Sequence, residues 1–173
     1  MSEHHVKTMP HRVTAEIEIE LPVDEVFQYV TDPQNQEHWV QAVKEIHDIS
    51  GPPGVGQRYT AHAHFLGKSL EQTEEITDFT PGTEYAWRTV KGPVHDVHHL
   101  RFEEHDGKTK ITVELGVQDL HLLGRMAEPL IVQFKNCSRP LPPPSGKSSA
   151  CGRWSGWWNH SKQTWKTRTN QPE

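Results

Sequence analysis

Apolar and polar positions alternate on both sides of Asp106-Gly107, within VHDVHHLRFEEHDGKTKITVELGV from Val94 to Val117. Asp-Gly between two alternating runs predicts a hairpin with a two-residue turn, because both turn positions need a positive φ that these residues tolerate. Ile111, Val113, Leu115 and Val117 then share one strand face, and Thr112, Glu114 and Gly116 share the other. Pairing His105 with Lys108 sets Phe102 against Ile111, Leu100 against Val113, His98 against Leu115 and Asp96 against Val117. The apolar face of the hairpin therefore carries two polar residues, Asp96 and His98.

Val13 to Leu21 alternates in the same way, with Ala15, Ile17 and Ile19 on one face and Glu16, Glu18 and Glu20 on the other. It predicts a half-buried strand. Pro22 stands at a helix start, and Val23, Val26, Phe27 and Val30 recur at helical spacing until Asp32-Pro33 stops them. A second short helix is predicted over Gln34 to His38, leaving Trp39 as an apolar anchor between helix and sheet. Val43 to Ile49 is the next strand. The Gly51-Pro52-Pro53-Gly54-Val55-Gly56 segment after it reads as a turn, since it lacks the lysine and Ser/Thr of a phosphate-binding loop.

Two-residue turns at Leu66-Gly67, Pro81-Gly82 and Lys91-Gly92 complete a meander. They pair Ala63 with Leu70, Tyr59 with Glu74, Ile76 with Trp87, Tyr85 with His98 and Trp87 with Asp96. One concave face then collects Tyr59, Ala61, Phe65, Leu70, Ile76, Tyr85, Trp87, Leu100, Phe102, Ile111, Val113 and Leu115. A slip of one residue at any turn would send the next strand's apolar set into water, so the agreement across turns supports the pattern.

After Val117 the period becomes helical, from Leu120 to Phe134 with a break or restart at Pro129. The stripe ends before Pro140, Pro142, Pro143 and Pro144, and the charge changes there. The whole chain carries 18 Lys and Arg against 23 Asp and Glu, yet residues 138–173 hold Glu173 as their one acid. This basic, Pro- and Ser-rich tail holds four of the tryptophans without any period, and is expected to be disordered and foreign to the domain. Its loss of the closing helix is expected to leave the sheet around Leu100 and Val113 uncovered. The division expected is therefore an extension at 1–11, a domain at 12–135 and a tail at 136–173.

The acidic body disfavours a nucleic-acid partner, whose phosphates need a basic patch. No apolar run approaches the roughly 20 residues of a membrane helix, so membrane insertion is not expected. No charged-then-apolar leader precedes the first strand, and two cysteines, Cys137 and Cys151, make no disulfide framework. A cytoplasmic setting is the expectation.

Strand, two short helices, six-strand meander and C-terminal helix is an order that resembles the START-like, or Bet v 1-like, superfamily. The residues that carry the resemblance are IEIELPVDEVFQYVTDPQNQEHWV, then GPPGVGQRY, then PGTEYAWRTVKGPVHDVHHLRFEEHDGKTKITVEL. Within it the chain is similar to the bacterial polyketide cyclase/dehydrase and lipid transport branch. The resemblance implies an α+β helix-grip fold: a curved seven-stranded antiparallel sheet, two short helices and a long C-terminal helix enclosing a cavity. That last helix is expected to be truncated here. Hydrophobic-ligand carriers, hormone receptors and aromatic polyketide cyclases belong to the superfamily, with no catalytic motif common to the branch.

Two function classes follow. In the first, the cavity encloses a small hydrophobic or aromatic molecule against Tyr59, Phe65, Glu74, Tyr85, Trp87, Phe102 and Leu115, with no cofactor. In the second, Asp96 and His98 are the acid/base pair of a cyclase or dehydratase. They lie two apart on one strand, about 6–7 Å along the chain, and Tyr85 serves as hydrogen-bond donor. No metal site is expected. The pairs His62–His64 and His95–His99 are predicted on the outer, wet face about 14 Å apart, too far for one ion.

Overall fold

The computed structural model describes residues 9–118 apart from 41 and 66, and only the backbone of Phe65. The predicted C-terminal helix, the tail, residues 1–8 and the Phe65 side chain lie outside the described set. In chain order come β1 (His11–Ile19), α1 (Val23–Val30), a 3-10 turn (Pro33–Asn35), α2 (Gln36–Trp39) and β2 (Val43–His47). They are followed by β3 (Arg58–Phe65), β4 (Lys68–Thr80), β5 (Glu84–Lys91), β6 (Asp96–His105) and β7 (Lys108–Val117). All seven strands join one curved antiparallel sheet in the order β1-β7-β6-β5-β4-β3-β2. The predicted six-strand meander is present, with the first strand returning to pair with the last.

The central hairpin has the predicted register throughout, from His105 opposite Lys108 to Asp96 opposite Val117. Asp106 and Gly107 both take positive φ, 53° and 71°, as a two-residue turn matched to the twist of its strands requires. α1 begins after Pro22, which offers no side-chain cap; instead Glu104 Oε2 on β6 accepts the Val23 N–H at 2.8 Å. That carboxylate sits where the helix dipole favours negative charge. The buried stripe of α1, Val26, Phe27 and Val30, packs on the concave face with Ile17, Tyr59, Ile76, Tyr85, Trp87 and Phe102. Phe27 meets Phe102 edge-on at 5.1 Å and Phe79 at 5.4 Å. Trp39 is buried at the end of α2, edge-on to Trp87 at 6.3 Å, so it is the anchor the sequence indicates.

Beyond the Pro81-Gly82 turn, which takes in Thr83 as a third residue, and the second helix, which runs Gln36–Trp39 after a 3-10 turn rather than Gln34 to His38, five expectations need correction. β1 runs His11–Ile19 rather than Val13–Leu21, although Leu21 stays buried; its N–H turns back to Ile19 O. β2 stops at His47 because Asp48 takes φ 53°. Leu100 and Val113 are 1% and 4% exposed and belong to the core that α1 helps to build; they are not left uncovered. His99 is buried rather than wet, held on the outer face between carboxylates of Glu84 and Glu114 at 4.0 and 3.9 Å. The fifth correction is the β5–β6 register. Its connection is Gly92 to His95, four residues instead of two, so Tyr85 pairs with Leu100 and Trp87 with His98. Faces are unchanged because the difference is even, but every cross-strand neighbour moves by two.

Candidate functional site

The corrected register builds a line of polar side chains along one end of the concave face. Tyr59 on β3 pairs with Glu74 on β4, Glu74 pairs with Thr89 on β5, and Thr89 reaches Asp96 at the start of β6. Two bulges in the β4–β5 ladder set these positions, one beside Glu74 and one between Ile76 and Asp78. Bulges bend a strand and re-aim its side chains. Gly92 also matters here. At φ +146° it lies so close to β4 that a Cβ would stand 2.9 Å from Gln72 Cγ and 3.2 Å from its Cα. Only glycine allows this approach. Gln72 then donates from Nε2 to Glu74 Oε1 at 3.1 Å.

Thr89 stands between the two carboxylates. Its Oγ1 is 2.5 Å from Asp96 Oδ1 and 3.2 Å from both oxygens of Glu74. A hydroxyl has one proton, and the shorter distance gives it to Asp96. Thr89 then presents lone pairs to Glu74, which repel a carboxylate but accept a hydrogen bond from a carboxylic acid. Burial, with the Asp96 charge next in effect, pushes the Glu74 carboxyl up to about 7, in the same direction. The other oxygen of Asp96, Oδ2, is 3.3 Å from His98 Nε2. The His98 ring stacks on Trp87 with centroids 4.4 Å apart and planes 6° from parallel. The result is a hydrogen-bonded chain, Glu74–Thr89–Asp96–His98, ending on an imidazole supported by an indole.

Behind this line the concave face is apolar: Trp87, Leu100, Leu115 and Ile76 are all buried. Tyr59 accepts from Gln36 Nε2 at 2.6 Å, and its phenol is pushed well up by burial, as is that of Tyr85. Both remain protonated. Of the residues chosen from sequence, the structure places Tyr59, Glu74, Tyr85, Trp87, Asp96, His98, Phe102 and Leu115 on this one face. Phe102 sits toward the far end, against α1. Sequence reasoning missed Gln36 and Gln72 as partners and the bond from Thr89 to Asp96; of these only Gln72 could have been flagged, by its parity with Glu74.

Hollows open near the face among the described residues. A cleft of about 560 Å³ lies among α1, the 3-10 turn and the β4–β5 turn, lined by Phe27, Thr31, Pro33, Gln57 and Phe79 among others. A smaller one of about 270 Å³ opens beside Thr89 and Asp96 and includes Met9, Arg88 and His95.

Tyr59→Phe tests the polar end without touching its shape. Removing the hydroxyl leaves the buried Gln36 amide without its acceptor, which costs about 1–3 kcal/mol. Urea denaturation should show this as a lower midpoint at unchanged slope; an unshifted midpoint would mean the Gln36 bond contributes nothing.

With the geometry in place, comparison with known proteins decides the family. The family described as polyketide cyclase / dehydrase and lipid transport matches residues 10–132. The chain belongs to this family. The family match covers every strand described above. A search of curated proteins found no match. Among solved structures, the Zhui aromatase/cyclase from Streptomyces sp. R1128 is 15% identical with a TM-score of 0.63, covering 79% of this chain and 98% of that one. A START superfamily protein from Mycobacterium smegmatis is 15% identical with a TM-score of 0.60, covering 72% and 94%. A conserved protein from Geobacillus kaustophilus is 19% identical with a TM-score of 0.59, covering 73% and 91%. These likenesses establish a shared fold. Among the described residues no helix is long and apolar enough to cross a membrane.

Proposed function

We propose that this member of the family binds a small hydrophobic or aromatic molecule over the concave face, with a polar group of the ligand turned toward Asp96 and His98. The observation that carries the reading is the arrangement of that face: an apolar floor of Trp87, Leu100 and Leu115 ending in a converging line of Glu74, Thr89, Asp96 and His98. Ligand sites combine a mostly apolar lining with a few placed polar groups in this way. Apolar area supplies affinity; the polar line orients the ligand. Native mass spectrometry of the purified full chain tests it. One small organic molecule per chain is expected, and Leu115→Trp, which fills the floor, should lose it. A chain that carries nothing and binds no aromatic probe would refute the reading.

A second reading, a cyclase or dehydratase, is favoured by one observation, the hydrogen-bonded chain that ends on His98. An imidazole oriented by a carboxylate can take a proton from an acidic carbon beside a carbonyl and, as imidazolium, return it to the hydroxyl that leaves as water. The Zhui protein is titled an aromatase/cyclase and shares the fold. His98→Ala separates the readings: it abolishes multiple turnover of a poly-ketone substrate in an enzyme, and alters only affinity in a carrier.

A further inference from the structure

We propose that His47, His62 and Glu71 form a site for a divalent d-block cation of the zinc class, on the sheet face opposite Trp87 and His98. The three residues stand on three adjacent strands, β2, β3 and β4. Register brings them together. His62 pairs directly with Glu71 across β3–β4, Glu45 stands opposite His62 on the other side, and His47 lies beyond it opposite Thr60. One donor atom from each of His47, His62 and Glu71 lies within 4.8 Å of the others. His62 Nε2 is 3.1 Å from Glu71 Oε2, and the two imidazole rings are 4.9 Å apart between centroids.

The chemistry of this donor set is selective. Two imidazoles and one carboxylate suit zinc, cobalt, nickel or copper, whereas magnesium and calcium take oxygen ligands. Bonds of about 2.0–2.2 Å require donor atoms to close to roughly 3.3 Å around a tetrahedral ion. The His62 and Glu71 side chains, 42% and 62% exposed, are free to turn that far. Three protein ligands leave a coordination position for water. His47 also has a supporting partner: Asp48 Oδ2 is 2.8 Å from its Nδ1. Carboxylates in that position orient metal-bound imidazoles and raise their basicity. The Glu45 carboxylate opposite His62 adds negative charge to the same patch.

Individual strands do not reveal this site, since each contributes one ligand and the strand-by-strand pairs His62–His64 and His95–His99 point elsewhere. Occupied, it ties the edge strand β2 through β3 to β4. Because only the native register assembles the ligands, an ion bound there stabilises the folded chain by mass action.

The test uses the full chain stripped with chelator, then titrated with Zn²⁺ while histidine imidazole resonances are followed by nitrogen-15 NMR. A local readout is required because Cys137, Cys151 and other histidines can also take zinc. The His47 and His62 signals are expected to shift first and to saturate at one ion per chain, with micromolar affinity. His62→Ala should weaken this event at least tenfold and Glu71→Gln several-fold, while His64→Ala, on the same strand face, leaves it unchanged. Saturating Zn²⁺ should raise the melting temperature of the parent and not of the His62→Ala chain. If all histidines shift together, or if His64→Ala weakens binding as much as His62→Ala, zinc is an adventitious ion only and the site is refuted. An absence of binding below millimolar Zn²⁺ refutes it as well.

Discussion

Replacing Trp87 by alanine is expected to destabilise the full chain by about 3–5 kcal/mol and to release the His98 ring. Trp87 is 5% exposed and holds three aromatic neighbours: Tyr85 at 5.2 Å, Trp39 at 6.3 Å and His98 at 4.4 Å. Truncation removes apolar surface from the core and leaves a cavity that packed strands on either side cannot fill. It also removes the stacked ring contact that supports His98. Urea denaturation followed by far-ultraviolet circular dichroism measures the first effect. The carbon-bound protons of the His98 ring measure the second. Lying over the indole, they are shielded by its ring current and should move downfield in the variant. Trp87→Phe keeps a ring under His98 and should recover more than half of both effects. A loss below about 1 kcal/mol, well under the range for a packed tryptophan, would show that this side chain does not bridge core and site.

Strand positions and faces were legible because a period of two is carried by every residue of a half-buried strand. Tyr59, Ile76, Trp87, Leu100 and Ile111 lie on the face their parity assigns them. Register is carried by far fewer residues, those of the turns. The Asp106-Gly107 turn states its own length, since both residues accept positive φ. Lys91-Gly92 does not: the chain continues through Pro93 and Val94 before pairing resumes at Asp96. The Ile76–Trp87 pair agreed with expectation through two cancelling departures, a three-residue turn at Pro81–Thr83 and an extra residue at Thr77. Consequently Asp96 and His98 were identifiable as polar residues on an apolar face, but their true neighbours, Thr89 and Trp87, were not.

His99 shows a different limit of the pattern. Alternation places it on the outer face, and a polar residue there reads as wet. Its flanking pairs are Ala86, too small to hold it out, and Glu114. His99 beside Glu114, with Arg101 at 2.6 Å, holds that carboxyl below the usual range. Burial on a strand's outer face depends on what neighbouring strands place beside a residue, which no single strand's alternation records. The same applies to His47, His62 and Glu71, which only the register of three strands unites.

Glu74→Gln is expected to change how stability depends on pH. In the unfolded chain this carboxyl titrates near 4.5; in the folded chain burial and the Asp96 charge carry it up to about 7. Between those values the folded state keeps a proton that the unfolded state has lost. Stability therefore falls as pH rises through this window, and the contribution is fully present below 4.5 and gone above 7. The amount at stake is on the order of 3 kcal/mol. Glu75 and Glu114, held low by Arg58 and by His99 respectively, act with the opposite sign and at more acid pH, so they do not mask the window. Glutamine fits the site as the neutral acid does: its carbonyl accepts from Gln72 and its amide donates to Thr89 Oγ1. The variant should match the parent near pH 4.5 and exceed it by about 2–3 kcal/mol above pH 7. Asp96→Asn, which removes the charge that helps raise Glu74, should shrink the fall without abolishing it. Urea midpoints at several pH values between 4 and 8, with slopes checked for constancy, decide the matter. Parallel pH profiles for parent and Glu74→Gln would mean that Glu74 is ionised in the folded chain, and that Thr89 gives its proton to Glu74 instead of Asp96.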